Sequence, residues 1–198
     1  MSSKVQKVWI SVSAPPNFNQ APLPKILASS PEAVLNRRVT VSLSDITGDI
    51  RQAHVFVKFR IIEVTDNTAK TRFDQLELAR EFVRGMARRG TTKTEVITDV
   101  FTKDDAHLRI FIVAISKGRL HRSKRTAIRK VAGEILINKA TNLLFDQFTQ
   151  ELVFGKMTSE IFAAARKIAN ISTLEVRKVK VLRPPTHIVE APQNVEAK

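Results

Sequence analysis

The chain has no cysteine and no tyrosine, one tryptophan and only six glycines in 198 residues. Without cysteine there are no disulfides, thiolate metal sites or cysteine nucleophiles, and a reducing compartment fits. No long apolar run occurs: the longest, Ile110 to Ile115, falls far short of the ~20 residues that span a bilayer. The N-terminal "MSSKVQKVWISVSAPP" lacks a hydrophobic signal region, because Ser11 and Ser13 interrupt it. A soluble intracellular protein is the expectation. Motifs of chemistry are missing too. There is no G-x-G-x-x-G and no Walker loop. His54, His107, His121 and His187 share no ligand spacing, and Asp104-Asp105 reads as a turn. No catalytic residue, metal site or cofactor is expected.

Two further absences are local. Between Glu32 and Arg183 there is no proline; all eight lie nearer the ends. Proline marks boundaries, so three parts are expected: an N-terminal strand with a proline-rich extended arm (1–31), one folded body (32–183) and a flexible tail (184–198). The arm from Ser13 to Ser30 is expected to be flexible as well. From Ala106 to Gly133 there is no acid. Into that gap fall Arg109, Lys117, Arg119, Arg122, Lys124, Arg125, Arg129 and Lys130.

What is present in excess is positive charge: 33 Lys and Arg against 19 acids, a formal +14. Such a chain repels itself unless an anion offsets the charge. Nucleic acid is the expected partner and an anionic membrane surface its rival.

The first half of the body alternates apolar and polar residues with a period of two, as strands do. "VWISV", "RVTVSL", "HVFVKFRIIEV" and "TAKTRF" are of this kind, and "DITGD" looks like a turn between two of them. "TEVITDVFTK" and "HLRIFIVAI" flank "DDA" and read as a hairpin. A helix is expected over Asp74–Arg89, with Asp74 and Glu77 as capping box and Gly90 as stop. On it Arg80, Arg84 and Arg88 would form one stripe, extended by Arg89. Helices are expected at about 123–140, 146–154 and 158–169. "TLEVRKVKVL" returns to strand, with a phase change at Arg177-Lys178 that signals a bulge. The fold expected is α+β: an antiparallel, barrel-like sheet with one inserted helix and a mainly helical C-terminal half packed on it, closed by a late strand.

The helix that begins near Ser123 raises a question. A helix N-terminus carries partial positive charge and favours anions, yet Arg122, Lys124 and Arg125 crowd it. Each adverse charge costs about 0.3–1 kcal/mol. A phosphate would reverse the sign, because N-terminal backbone N–H groups bind it and nearby cations reinforce them. A third basic run, Arg177, Lys178 and Lys180, lies on the last strand. No RNP-like run of stacking aromatics is visible, which favours backbone and shape recognition over single-strand reading.

"DITGD" (45–49), "TRFDQLELAREFVRGMARRGT" (71–91), "KRTAIRK" (124–130), "QELVFGKM" (150–157) and "EVRKVKVL" (175–182) occur in an order that resembles the S3Ae family of small-subunit ribosomal proteins, in its archaeal form. The resemblance spans roughly residues 5–183. It implies a structural, non-catalytic protein of the cytoplasmic ribosome. It also implies rRNA contact on the small-subunit platform, near the mRNA exit and the 3′ end of the rRNA, beside other platform proteins, and leaves open contact with mRNA. Arg72, Arg80, Arg88, Arg89, Arg129, Lys130, Arg177 and Lys178 match basic positions of the family's motifs and are thereby implied rRNA contacts. Other readings remain: a free RNA-binding translation factor, an RNA chaperone, or an enzyme acting on nucleic acid.

Overall fold

The computed structural model describes residues 7–65 and 67–185. In β1 (Val8–Ser13) Ile10 and Val12 turn inward while Trp9 and Ser11 face out. It pairs antiparallel with β2 (Pro22–Ala28), an edge strand, where Pro22 and Pro24 are tolerated. The arm expected to be flexible carries a strand and a 3-10 turn packed on the sheet. Phe18, in a 3-10 turn over Pro16–Phe18, is 1% exposed. Its ring meets Phe59 edge-on at 5.2 Å between centroids.

β3 (Arg38–Ser42) leads into α1 (Leu43–Thr47), a single turn capped by Ser42 and ended by Gly48 at φ +76°. The turn expected at "DITGD" thus begins inside a short helix. β4 (Val55–Thr65) and β5 (Thr68–Leu78) pair along their length. α2 (Arg80–Met86) follows, then the hairpin of β6 (Lys93–Phe101) and β7 (His107–Ser116). α3 (Arg122–Asn142), α4 (Phe145–Val153) and α5 (Lys156–Arg166) precede β8 (Ile171–Arg183).

The helix expected over Asp74–Arg89 is the main error of sequence reading. β5 runs on to Leu78, and α2 has only seven residues. Leu78, Phe82 and Met86 have helical spacing, but Leu76 and Leu78 are two apart and pair with Val57 and Val55. Asp74 is an extra residue in β5, between the Phe59–Phe73 and Lys58–Gln75 pairs. That bulge shifts the alternation from Phe73 to Leu76 and hides the strand. The Asp74–Glu77 capping box is not formed. The bulge expected near Arg177 is present: Phe111 faces Lys178 while Ile112 faces Val176.

The architecture is α+β. The main strand order is β3-β4-β5-β8-β7-β6, all antiparallel. β5 divides its second edge: Thr68–Lys70 takes β1 in parallel, and Gln75–Glu77 takes β8. The sheet is thus neither wholly antiparallel nor closed. β2 and β3 approach each other, but no ladder joins them among the described residues.

α3 buries Ile128, Ala132, Leu136 and Ala140, one residue per turn, and packs on β6, while α5 packs on β8. They cover the sheet face made by Val96, Val100, Leu108, Ile110 and Ile112, all buried. The opposite face carries Ile97, Phe101, Arg109, Lys178 and Lys180. Of the tail, residues 186–198 lie outside the described residues.

Candidate nucleic-acid interface

The fold gathers the basic residues into two surfaces. The first is at the end of the sheet where β7 finishes and β6 begins. Past α2, residues Arg88–Thr91 form a turn. Thr91 Oγ1 donates to the Arg88 carbonyl at 2.6 Å, and Gly90 supplies φ +83°. Arg88 and Arg89 therefore sit in this turn, not on a helical stripe; only Arg80 and Arg84 remain as an i,i+4 pair on α2. All four are exposed.

Thr92 ties that turn to the loop after β7. Its N–H donates to Ser116 Oγ at 3.1 Å, and its Oγ1 accepts from the Leu120 N–H at 3.0 Å. Its carbonyl accepts from the Ser116 N–H at 3.1 Å, and the Lys117 N–H donates to the Asn170 carbonyl at 3.0 Å. Lys117 and Arg119 are thus held beside Arg88 and Arg89. A shallow cleft of about 570 Å³ opens between them, lined by Gly85, Arg88, Thr91, Ser116, Lys117 and Ser172.

α3 starts at the same end. Its N-cap, His121, makes no side-chain cap bond, and its first turn holds no acid. Arg122 and Lys124 are exposed. Arg125 is half-buried, and its Nε has no hydrogen-bond partner. The dipole conflict read from sequence is therefore real in the fold. One turn on, Arg129 is committed differently: its Nε donates to the Glu95 carbonyl at 2.9 Å, bracing the edge of β6. Lys130 is exposed and has no ion pair among the described residues.

The second surface is the uncovered sheet face. Here Lys58 and Lys178 both reach Glu77, at 3.0 and 3.2 Å. Burial pushes the Glu77 carboxyl up, but the two ammonium groups outweigh it and hold the group below its usual range. Arg177 and Lys93 share Glu95 at 3.0 and 2.6 Å, and the Lys93 hydrogen bond leads in lowering that carboxyl. Lys180 lies between Gln75 and Arg109 in the ladders and has no ion pair among the described residues.

Toward β3 the face becomes more positive. Arg38 faces Arg60, and Arg60 faces Arg72, on three neighbouring strands. Asp74, its side chain 9% exposed, takes Arg38 Nε at 2.6 Å and Arg60 Nη2 at 3.0 Å. Asp74, with Asp146 also close to Arg72, leaves the three guanidinium groups in excess. Burial and the adjacent Arg60 charge lower the affinity of Arg72 for its proton.

The sites expected from sequence thus divide. Arg80, Arg84, Arg88, Arg89, Lys117, Arg119, Arg122, Lys124 and Arg125 belong to the loop end, with Arg129 and Lys130 behind them on α3. Arg72, Arg177, Lys178 and Lys180 belong to the sheet. Sequence reading missed Arg38, Lys58 and Arg60, although each alternates with a buried strand residue; Arg109, counted in the acid-free stretch, is held by Asp99 Oδ1 at 2.6 Å. Among the described residues no group of His, Asp and Glu is placed to hold a metal ion. No helix there is long and apolar enough to cross a membrane.

An α+β sheet, cationic on its open face and at one end, defines a class: a basic protein shaped to meet an extended polyanion. Comparison with known proteins narrows it. The sequence pattern of the Ribosomal S3Ae family matches residues 3–185. The chain is 40% identical over 179 residues to the small ribosomal subunit protein eS1 of Sulfurisphaera tokodaii, covering 90% of this chain and 93% of that one. It is 41% identical over 180 residues to eS1 of Staphylothermus marinus, covering 91% and 85%. It is 37% identical over 182 residues to eS1 of Saccharolobus islandicus, covering 92% and 88%. The chain belongs to the Ribosomal S3Ae family.

Proposed function

We propose that this chain is a structural constituent of the small ribosomal subunit in the cytoplasm. It binds rRNA through its two basic surfaces and takes part in translation without catalysis of its own. Its family and its eS1 relatives support this reading. The observation that carries the RNA contact is the union of the Arg88-Arg89 turn, the Lys117–Arg119 loop and the acid-free first turn of α3 at one end of the sheet. Exposed cations beside free helical N–H groups suit a phosphate backbone.

The finer placement is on the platform, near the mRNA exit and the 3′ end of the rRNA, beside neighbouring platform proteins and within reach of mRNA. The near approach of β2 and β3 supports a barrel-like curl of the N-terminal strands. Sedimentation tests the whole reading: the tagged chain should travel with small subunits through a high-salt gradient. Hydroxyl-radical footprinting should then protect rRNA of the platform. A chain that stays at the top of the gradient would refute the constituent role. Protection elsewhere on the subunit would refute the placement alone.

A further inference from the structure

The open face of the sheet carries aromatic rings that sequence separation conceals. One row of cross-strand neighbours reads Phe56, Glu77, Lys178, Phe111, Ile97 over β4, β5, β8, β7 and β6. Residues directly opposite share a face, so the two phenylalanines stand on one surface. Three strand spacings separate them, about 14 Å. At the end of the β6–β7 hairpin Phe101 is 58% exposed, and its ring stacks on His107 with centroids 4.4 Å apart. The adjacent row contributes Lys58, Lys180 and Arg109.

These rings are not core residues. Phe56 is 37% exposed and Ile97 is 59% exposed, Phe111 is half-buried, and none of the three belongs to the core cluster. A row of exposed apolar side chains rimmed by charge on one sheet face marks an interaction site. The charge around them selects its chemistry: Lys58, Lys178, Lys180 and Arg109 outnumber the two carboxylates beside them, Glu77 between Lys58 and Lys178 and Asp99 against Arg109 at 2.6 Å, and Lys180 is unpaired among the described residues. A basic groove with spaced aromatic faces is the arrangement that stacks bases while holding the backbone. A duplex hides its base faces and could use only the cations.

We infer that this face binds a single-stranded stretch of RNA, with bases stacked on Phe56, Phe111 and Phe101 and phosphates on Lys58, Lys180 and Arg109. The inference rests on the RNA-binding reading above and adds the class of RNA. Structured RNA falls to the loop end of the molecule, and unpaired RNA to the sheet.

The test uses the full chain and two probes: a fluorescent single strand of about ten nucleotides, and a blunt RNA hairpin. Phe56→Leu and Phe111→Leu keep an apolar side chain but remove the π-face. Each should weaken the single strand about tenfold, with hairpin affinity and the urea midpoint unchanged. Lys180→Ala, an exposed change that leaves the rings in place, should weaken the single strand and lower its salt slope by about one. A 4-thiouridine single strand should crosslink to peptides containing Phe56 or Phe111. If both Leu variants bind the single strand as wild type does, the inference is overturned while hairpin binding keeps the broader reading. If neither probe binds, the broader reading fails with it. If the Leu variants bind both RNAs normally yet fail to enter small subunits, the face docks a protein and the inference is wrong.

Discussion

Arg38 Nε lies 2.6 Å from Asp74 Oδ2, on a carboxylate that also holds Arg60 at 3.0 Å. The pairing places Asp74 in a strand bulge beneath two arginines rather than at the start of a helix. It also explains how three arginines can stand opposite one another on adjacent strands, where like charges are otherwise destabilising.

Asp74→Asn distinguishes the two roles. Asparagine caps helices about as well as aspartate, so a cap would tolerate the change. Here the substitution strips the charge from a buried acceptor between guanidinium groups. Stability should fall by about 1–3 kcal/mol, read from the urea midpoint. A change within experimental error would remove the bulge pairing as a stabilising feature.

Acid should loosen the sheet at a definite residue. Glu77 is lowered in the folded protein, so its contribution is complete above its ordinary value of 4.5 and is lost as pH falls through the folded value. Glu77→Gln should therefore flatten the acid limb of a stability–pH curve and lower stability at neutral pH. Glu175 has the opposite sign. Burial raises it, so its penalty is absent below the ordinary 4.5 and complete above the raised value. Glu175→Gln should stabilise the protein at pH 7 and not at pH 3. Parallel curves for the variants and wild type would contradict both assignments.

Arg122→Glu with Lys124→Glu tests the start of α3. Both side chains are exposed, whereas half-buried Arg125 is left alone to avoid a packing change. Each new acid favours the helix dipole by about 0.3–1 kcal/mol, so thermal unfolding should shift upward. Hairpin RNA affinity should drop, with a salt slope reduced by about two. A destabilised variant with unchanged affinity would make these cations structural.

Arg129 and Lys130 are neighbours with different work. Arg129→Ala removes the donor to the Glu95 carbonyl and should cost about 0.5–1.5 kcal/mol. Hydrogen exchange along β6 should quicken. Lys130→Ala should stay within about 0.5 kcal/mol of wild type while weakening RNA. Equal stability losses in the two variants would count against the bracing role.

The isolated protein should bind structured RNA with strong salt dependence. Neutralising ~6–10 phosphates lowers affinity by about 10³–10⁵ between 50 and 200 mM salt. A flat response in a filter-binding titration would exclude phosphate-dominated binding.

Much of this was legible in order along the chain. Alternation alone located β1, β3, β4 and the β6–β7 hairpin, because each strand buries one face and leaves the other in water. The acid-free stretch from Ala106 to Gly133 located the exposed start of α3, and the phase change at Arg177 located the bulge. These signals are local: they depend on which way a residue points relative to its own neighbours. The same local logic misassigned Asp74–Arg89, because a one-residue bulge and a helix both displace apolar residues from a period of two.

Tertiary structure decided what lies beside what. Phe56 and Phe111 are 55 positions apart in sequence and share a row only because β5 and β8 pair between β4 and β7. Arg88 joins Lys117 because Thr92 bonds to Ser116 and Leu120. Asp74 finds Arg38 and Arg60 through the register of three strands. Periodicity encodes the face a side chain occupies, whereas its neighbours on that face are set by strand order and register. Those depend on burying the whole core at once, including the Phe18 ring that draws the proline-rich arm onto the sheet.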